Sequence, residues 1–540
     1  MRGRQRLAVA ALGALAALAV AIPLALVALQ GAAGGGAHLG LLKEILQSPY
    51  YRRVISFTFL QALASSAITI AAGLPGAYIF STYEFRGKRQ LMALSSVPFV
   101  LPSVLVVLGF VIFFGNTGTL NTILGSIPGI GDTPLRVLYS WKAIVLAHAF
   151  YNIPLVYRIV SSVWGGIDER MLEASYNMGA SRLRAFLDIE LPHLRHAILS
   201  AALLTFIYSF TSFAVVLALG GPQYATVEVT IYTLAQYGGK LGTASMLALV
   251  QLAALGVVVW AYARIPPFPG GAGRKKMREL RLSSGKAKAL IAAYAAAVAA
   301  FLYGPLAGIC YESVRSGTGF TLDWFRAIAT GTAGYIGTSP RGAVLLSLAI
   351  GACATALAVS AAVVAAYSLR AHRSGGGVLN VATMLPLCIS TLTMALGYVI
   401  LGNRTGLDIR FAGIVIIHAM IGFPFAVRSV HAGVEKIDRT LVEAAMNLGA
   451  SRLRAFATVD LPLIKSSIVS ASVFAFAISL GELAATYMIG GGAYATIPVY
   501  IYRYIGGYRI GPAAAMGVVL MAVSAASFFI IDRMGPDAEL

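Results

Sequence analysis

A helix of about 20 apolar residues crosses the hydrocarbon core of a bilayer, and about twelve such stretches recur along this 540-residue chain. Their approximate ranges are 7–31, 55–81, 91–115, 142–164, 197–220 and 243–264. After a linker they continue at 289–312, 342–368, 378–401, 411–430, 467–490 and 512–532. The core holds no water to satisfy backbone N–H and C=O groups, so each stretch has to be helical. The expected fold class is all-α integral membrane, with about twelve transmembrane helices. Only 11% of the residues are charged, against about a quarter in a soluble domain. The net charge of +20 would suggest nucleic acid on a soluble protein. Here it fits the gathering of Lys and Arg in cytoplasmic loops, and no nucleic-acid partner is expected.

The basic loops orient the chain. Arg86-Gly87-Lys88-Arg89 follows the second span, Arg182, Arg184 and Arg195 follow the fourth, and Arg274, Lys275, Lys276, Arg278 and Arg281 follow the sixth. Arg370 and Arg373, then Arg452, Arg454 and Lys465, repeat the pattern in the second half. These loops are placed in the cytoplasm, with Arg52 and Arg53 as outer-side exceptions. Arg2, Arg4 and Arg6 precede an apolar run longer than the apolar core of a signal peptide, so it reads as an uncleaved first span. The expectation is a multi-pass plasma-membrane protein with both termini cytoplasmic. Cys310, Cys353 and Cys388 lie in apolar stretches without a C-x-x-C pair and read as small core residues.

The chain repeats itself. Residues 168–201 read DERMLEASYNMGASRLRAFLDIELPHLRHAILSA, and residues 438–471 read DRTLVEAAMNLGASRLRAFATVDLPLIKSSIVSA. The offset of 270 also pairs His148 with His418, Pro154 with Pro424, Arg158 with Arg428 and Tyr224-Ala225-Thr226 with Tyr494-Ala495-Thr496. The linker 265–288, rich in Pro and Gly and then in Lys and Arg, is a boundary by composition. The expected organisation is a first half at 1–264, a basic cytoplasmic linker, and a second half at 289–540. Six spans per half give both the same orientation, so they can surround one pathway along the membrane normal.

Each copy of the repeated loop is long and polar. From Asp168 to Met178 the spacing is helical, with Leu172, Ser175 and Tyr176 on one side. Gly179 can end that helix in the left-handed conformation, Ser181 can cap the next, and Leu191-Pro192 marks entry to the following span. The second copy has Glu443, Gly449, Ser451 and Leu461-Pro462 in the same places. A polar helix–Gly–helix has no use in crossing lipid; two of them call for a partner with two equivalent sockets.

Glu443-Ala444-Ala445, Gly449 and Val459-Asp460-Leu461-Pro462, with Glu173-Ala174-Ser175, Gly179 and Ile189-Glu190-Leu191-Pro192 in the first copy, resemble the EAA loop of binding-protein-dependent ABC importer permeases. The departures are Ser175 for the second Ala and Val459 for Ile. The resemblance implies that these loops dock into clefts on two copies of an ABC ATPase subunit. Its coupling positions fall on Glu173, Ala174, Gly179, Ala180, Leu191, Pro192, Glu443, Ala444, Ala445, Gly449, Ala450, Leu461 and Pro462. It further implies an extracytoplasmic solute-binding protein as partner, with ATP and Mg held by the ATPase. The fused layout looks like the iron(III) and thiamine branch, as do the soft motifs Leu101-Pro102-Ser103 and Ser212-Phe213-Ala214.

Glu482 lies within the eleventh stretch. An intramembrane carboxylate should face the bundle interior, either as a counter-charge for a cationic solute or as a structural group with a nearby partner. Its repeat mate is Ser212. Tyr224 and Tyr494 are candidates for the outer mouth or for interfacial anchors. His148 and His418 are expected to hydrogen-bond between packed helices rather than to bind metal, and Arg158 and Arg428 to snorkel to the interface. No metal or cofactor of its own is expected. No G-x-x-x-x-G-K-[ST] loop and no nucleophile arrangement occurs, so the chain reads as a transport subunit and not an enzyme. The alternative, a secondary transporter of two six-helix halves, leans on a faint likeness of residues 86–89 to a major-facilitator loop, and it leaves the repeated loops unexplained.

Overall fold

The computed structural model describes residues 18–31, 38–85, 87–88, 90–92, 95, 101–129, 135–265, 280–281, 285–317, 319–332, 338–371, 383–384, 386 and 389–534. The arginines at 2, 4, 6, 86, 89 and 373, most of the linker, Cys388 and both chain ends lie outside these residues.

Among the described residues, ten helices of the first half have ten counterparts in the second. The first set is α1 Leu18–Gly31, α2 Pro49–Thr82, α3 Ser103–Phe114, α4 Trp141–Trp164, α5 Glu169–Asn177, α6 Arg182–Ala185, α7 Leu191–Phe210, α8 Ala214–Leu219, α9 Val227–Gln236 and α10 Leu241–Ala263. The second is α11 Gly285–Ser313, α12 Pro340–Ala371, α13 Thr391–Thr405, α14 Arg410–Glu435, α15 Arg439–Asn447, α16 Arg452–Ala455, α17 Lys465–Gly481, α18 Ala484–Gly490, α19 Ile497–Gly506 and α20 Ile510–Met534. Four short helices, His38–Gln47, Thr119–Gly125, Asp323–Thr330 and Leu461–Leu463, lie between them. Among the described residues, eight helices are long and apolar enough to span a bilayer, or nine with a bent pair at 452–481. The fold is all-α and membrane-spanning; the count of twelve is not reached by helices that qualify on length and apolarity alone.

The differences lie where spans break. The expected spans 197–220 and 467–490 are each two helices, α7 with α8 and α17 with α18, interrupted at 211–213 and 482–483. Within the expected spans 91–115 and 378–401, α3 starts at Ser103 and α13 at Thr391, and most of the residues before them lie outside the described ones. The stretch between the fifth and sixth spans is no surface loop, because α9 buries Val227, Glu228, Thr230, Ile231 and Tyr232. α9 and its counterpart α19 are each anchored by a hydroxyl from a long span. Val227 N–H donates to Thr58 Oγ1 at 3.0 Å and Ile497 N–H to Ser347 Oγ at 2.8 Å. These bonds satisfy backbone donors that a helix start leaves open, at positions related by the 270-residue repeat.

The sequence halves interlock. The first helix of each packs on the third span of the other. Cβ atoms built on Gly109 and Gly397 would approach Pro305 of α11 and Pro23 of α1 to 2.8 and 2.5 Å, so only glycine admits these crossings. Tyr398 of α13 donates to the Ala19 carbonyl of α1 at 2.9 Å, and Tyr294 of α11 to Ala72 of α2 at 2.8 Å. The two largest buried apolar clusters each contain residues of both halves. A short parallel pairing joins Tyr83–Glu84, just after α2, to Leu280–Arg281 of the linker.

Candidate functional site

The repeated loops fold as expected from their residues, and they fold alike. Asp168 and Asp438 cap α5 and α15, accepting from Arg170 and Thr440 N–H. The Thr440 bonds hold the exposed Asp438 carboxyl below the usual carboxylate range. Gly179 and Gly449 stand at φ +83° and +89°. Around them Ala180 N–H reaches Ser175 O and Gly179 N–H reaches Tyr176 O, at 3.0 and 2.9 Å. The second copy repeats both bonds at 3.0 Å. This is the paired closure that ends a helix on a left-handed glycine. Ser181 and Ser451 then cap α6 and α16 by accepting from Arg184 and Arg454 N–H.

Leu172 and Ser175 are the buried side of α5, while Tyr176, expected with them, is exposed. Glu173, Ala174, Glu443 and Ala444 are exposed, and Ala180, Ala445 and Ala450 half-buried. Sequence reasoning missed the apolar tip. Met178 is 82% and Leu448 90% exposed, with Leu183 and Leu453 also solvent-facing. Both loops thus present the same two exposed apolar positions. Their signal was present, since an apolar residue directly before the helix-ending glycine recurs in both copies.

Beneath each loop the chain is clamped to a long span. Arg182 donates to Tyr78 of α2. On the other side Arg370 of α12 donates through both Nη atoms to Val434 and Ile437 carbonyls, each at 2.7 Å, closing the turn that leads into α15. Glu190 and Asp460 are buried at the base of the loops, each in a short π-helical turn. Leu191 and Pro192 open α7 directly. In the second copy Leu461 and Pro462 belong to a three-residue helix, and the chain bends by 72° before α17 starts at Lys465.

The interior candidates separate. Glu482 is not inside a helix: it occupies the break between α17 and α18, and its Oε1 accepts the Ala485 N–H at 2.9 Å. Part of its role is therefore structural. Ser212 is half-buried at the equivalent break. At 1.5 Å per residue, the 17-residue α17 places Glu482 about 25 Å from its loop end. Tyr224 rests on Phe57, and Tyr494 on Phe411 beneath the Arg410 guanidinium. His148 Nδ1 pairs with Ser65 Oγ at 3.0 Å, and His418 with Ser479 and Thr486 hydroxyls at 2.8 and 3.0 Å, so both bond to hydroxyls of packed neighbours. Arg158 and Arg428 are exposed.

Sequence reasoning also missed Glu228 of α9, which is wholly buried. It was hidden because the span lengths placed it in an outer loop. Its Oε1 accepts from Gln251 at 2.6 Å. One turn on, Tyr232 stacks on Tyr487 of the other half with centroids 5.2 Å apart, and Tyr487 meets Tyr502 edge-on at 5.1 Å. At the end away from the repeated loops, Gln236, Asn403, Asp408, Arg410 and Met488 line an open cavity of about 560 Å³.

Comparison with known proteins bears on this arrangement. The family described as binding-protein-dependent transport system inner membrane component matches residues 69–267 and 354–539, one copy in each half and each containing a repeated loop. The thiamine transport system permease protein ThiP of Escherichia coli (strain K12) is 27% identical over 505 residues, covering 91% of this chain and 90% of its own length. ThiP of Brucella abortus (strain 2308) is 28% identical over 530 residues, 96% and 94% of the two chains. The ferric transport system permease protein FbpB of Actinobacillus pleuropneumoniae is 25% identical over 510 residues, 92% of this chain and 73% of FbpB.

Proposed function

The chain belongs to the inner-membrane components of binding-protein-dependent transport systems, and from that premise we propose that it carries both permease halves of an ATP-driven importer for thiamine or a close cationic relative. Two copies of a separate ATPase subunit engage the two loops from the cytoplasm, where ATP and Mg are held. An extracytoplasmic binding protein delivers the solute to the far end, and both termini are cytoplasmic. The single observation that carries the reading is the matched pair of capped, glycine-ended helices presenting Met178 and Leu448. A lipid-spanning protein gains nothing from exposing apolar side chains on rigid polar loops, whereas a partner cleft buries them at about 25 cal/mol per Å². Closure of the ATPase pair is transmitted through α5 and α15 into the spans, alternating access to the space between the halves.

Thiamine is preferred because the relatives of that name match this chain over nearly its whole length and theirs. A ferric solute is the second reading, favoured by the likeness to FbpB. Of the coupling positions, Gly179 and Gly449 set the shape, Glu173, Ala174, Glu443 and Ala444 face the partner, and Ala180, Leu191, Pro192, Ala445, Ala450, Leu461 and Pro462 support the loop.

Purification of the tagged chain from its native membrane tests the assignment. A P-loop ATPase is expected to copurify and to be lost when Met178 and Leu448 are both replaced by Asp. A chain that purifies without any ATPase and takes up solute on an ion gradient would refute it in favour of secondary transport.

A further inference from the structure

We propose that Glu228 is the intramembrane binding point for the solute in transit, a single site for an organic monocation of the thiamine class, bounded by the Tyr232–Tyr487–Tyr502 ring cluster. The proposal rests on the thiamine reading of the function.

Glu228 is 0% exposed, and its neighbours leave it incompletely satisfied. Gln251 donates to Oε1 at 2.6 Å. Among the described residues neither Oε2 nor the amide oxygen of Gln251, both buried acceptors, has a donor at full hydrogen-bond geometry, and the Ser390 hydroxyl is the further group that favours the charged carboxylate. Among the described residues, the groups acting on the carboxylate are the Ser390 hydroxyl at the start of α13 and the Gln251 amide of α10, both hydrogen-bonding, and Glu482 at the α17–α18 break, and none is a cation. A second carboxylate from the opposite half makes the site more negative. Leaving such a charged group incompletely paired in a protein interior is strongly unfavourable. Intramembrane carboxylates of this kind mark solute paths. A cation supplies what the resting arrangement lacks.

Geometry gives the class of cation. Tyr232 is four residues beyond Glu228, on the same helix face. Its stacking on Tyr487 bridges the halves, and its repeat mate Tyr502 contacts the same ring. Aromatic faces attract weakly hydrated organic cations, most strongly away from water. A trivalent metal stripped of water needs several hard anionic ligands. Among the described residues no group of three or more His, Cys, Asp or Glu side chains could hold a metal. The repeat mates of Glu228 and Glu482 are Pro498 and Ser212, so the site occurs once per molecule. It is closed in this conformation, and solute reaches it when the halves part.

The test uses the whole transporter, the chain with its ATPase and binding protein in proteoliposomes, with radiolabelled thiamine and ferric ion as probes. Glu228→Gln keeps the shape and removes the charge. Thiamine uptake is expected to fall at least tenfold while the complex assembles and its melting temperature does not drop. Tyr487→Phe should retain uptake and Tyr487→Leu should lose most of it, an independent readout should Glu228→Gln fail to assemble. Wild-type thiamine uptake that persists in Glu228→Gln, or Tyr487→Leu matching wild type when Glu228→Gln cannot be assembled, overturns the site and leaves the proposed function standing. A wild type that carries ferric ion and not thiamine overturns the proposed substrate and the site's ligand class together.

Discussion

Replacing Gly449 probes the transmission element with one variable changed. At φ +89° the backbone is in the left-handed region, where an ordinary L-residue costs about 1–2 kcal/mol. A Cβ added at Gly449 or Gly179 meets nothing within 4 Å, so side-chain clash contributes nothing and backbone strain is the whole effect. A strain of that size raises the population of loops that have lost the paired helix closure by roughly 5- to 30-fold. Asn tolerates this region better than Ala, and a β-branched residue worst. Solute taken up per ATP hydrolysed, measured in proteoliposomes, should therefore fall in the order Gly, Asn, Ala, Val at either position, with ATP hydrolysis itself retained. A Gly449→Val variant performing like wild type, or a random order across the series, would show that the left-handed turn has no part in coupling.

Two further outcomes follow from the packing. Gly397→Ala places a methyl against the Pro23 carbonyl at 2.5 Å, between α13 and α1. Overpacking of this kind costs typically 1–3 kcal/mol, so the detergent-solubilised protein should melt several degrees lower, and an unchanged melting temperature would mean that the crossing is loose. Arg370→Lys cannot bridge the Val434 and Ile437 carbonyls together. Losing one charge-assisted bond costs about 1.5–3 kcal/mol, so amide exchange over 434–441 should quicken at least tenfold, and wild-type protection would dismiss the clamp.

The membrane-spanning helices, the twofold repeat and the loop geometry were legible in the residues because each is local. Transfer of about 20 apolar residues, a capping Asp or Ser, and a glycine at a helix end are properties of short windows. The breaks at Ser212 and Glu482, the burial of Glu228 and the crossing of α1 and α11 onto opposite halves are not. Hydropathy averages over a span and passes through a break whose open backbone groups are satisfied from afar. Val227 finds Thr58 across 169 residues, and Ile497 finds Ser347 across 150. Pro23 meets Gly397, and Tyr232 meets Tyr487, only once the halves have interlocked. What crosses the membrane was therefore set by composition along the chain, while what lines the space between the halves was decided by contacts that exist only in three dimensions.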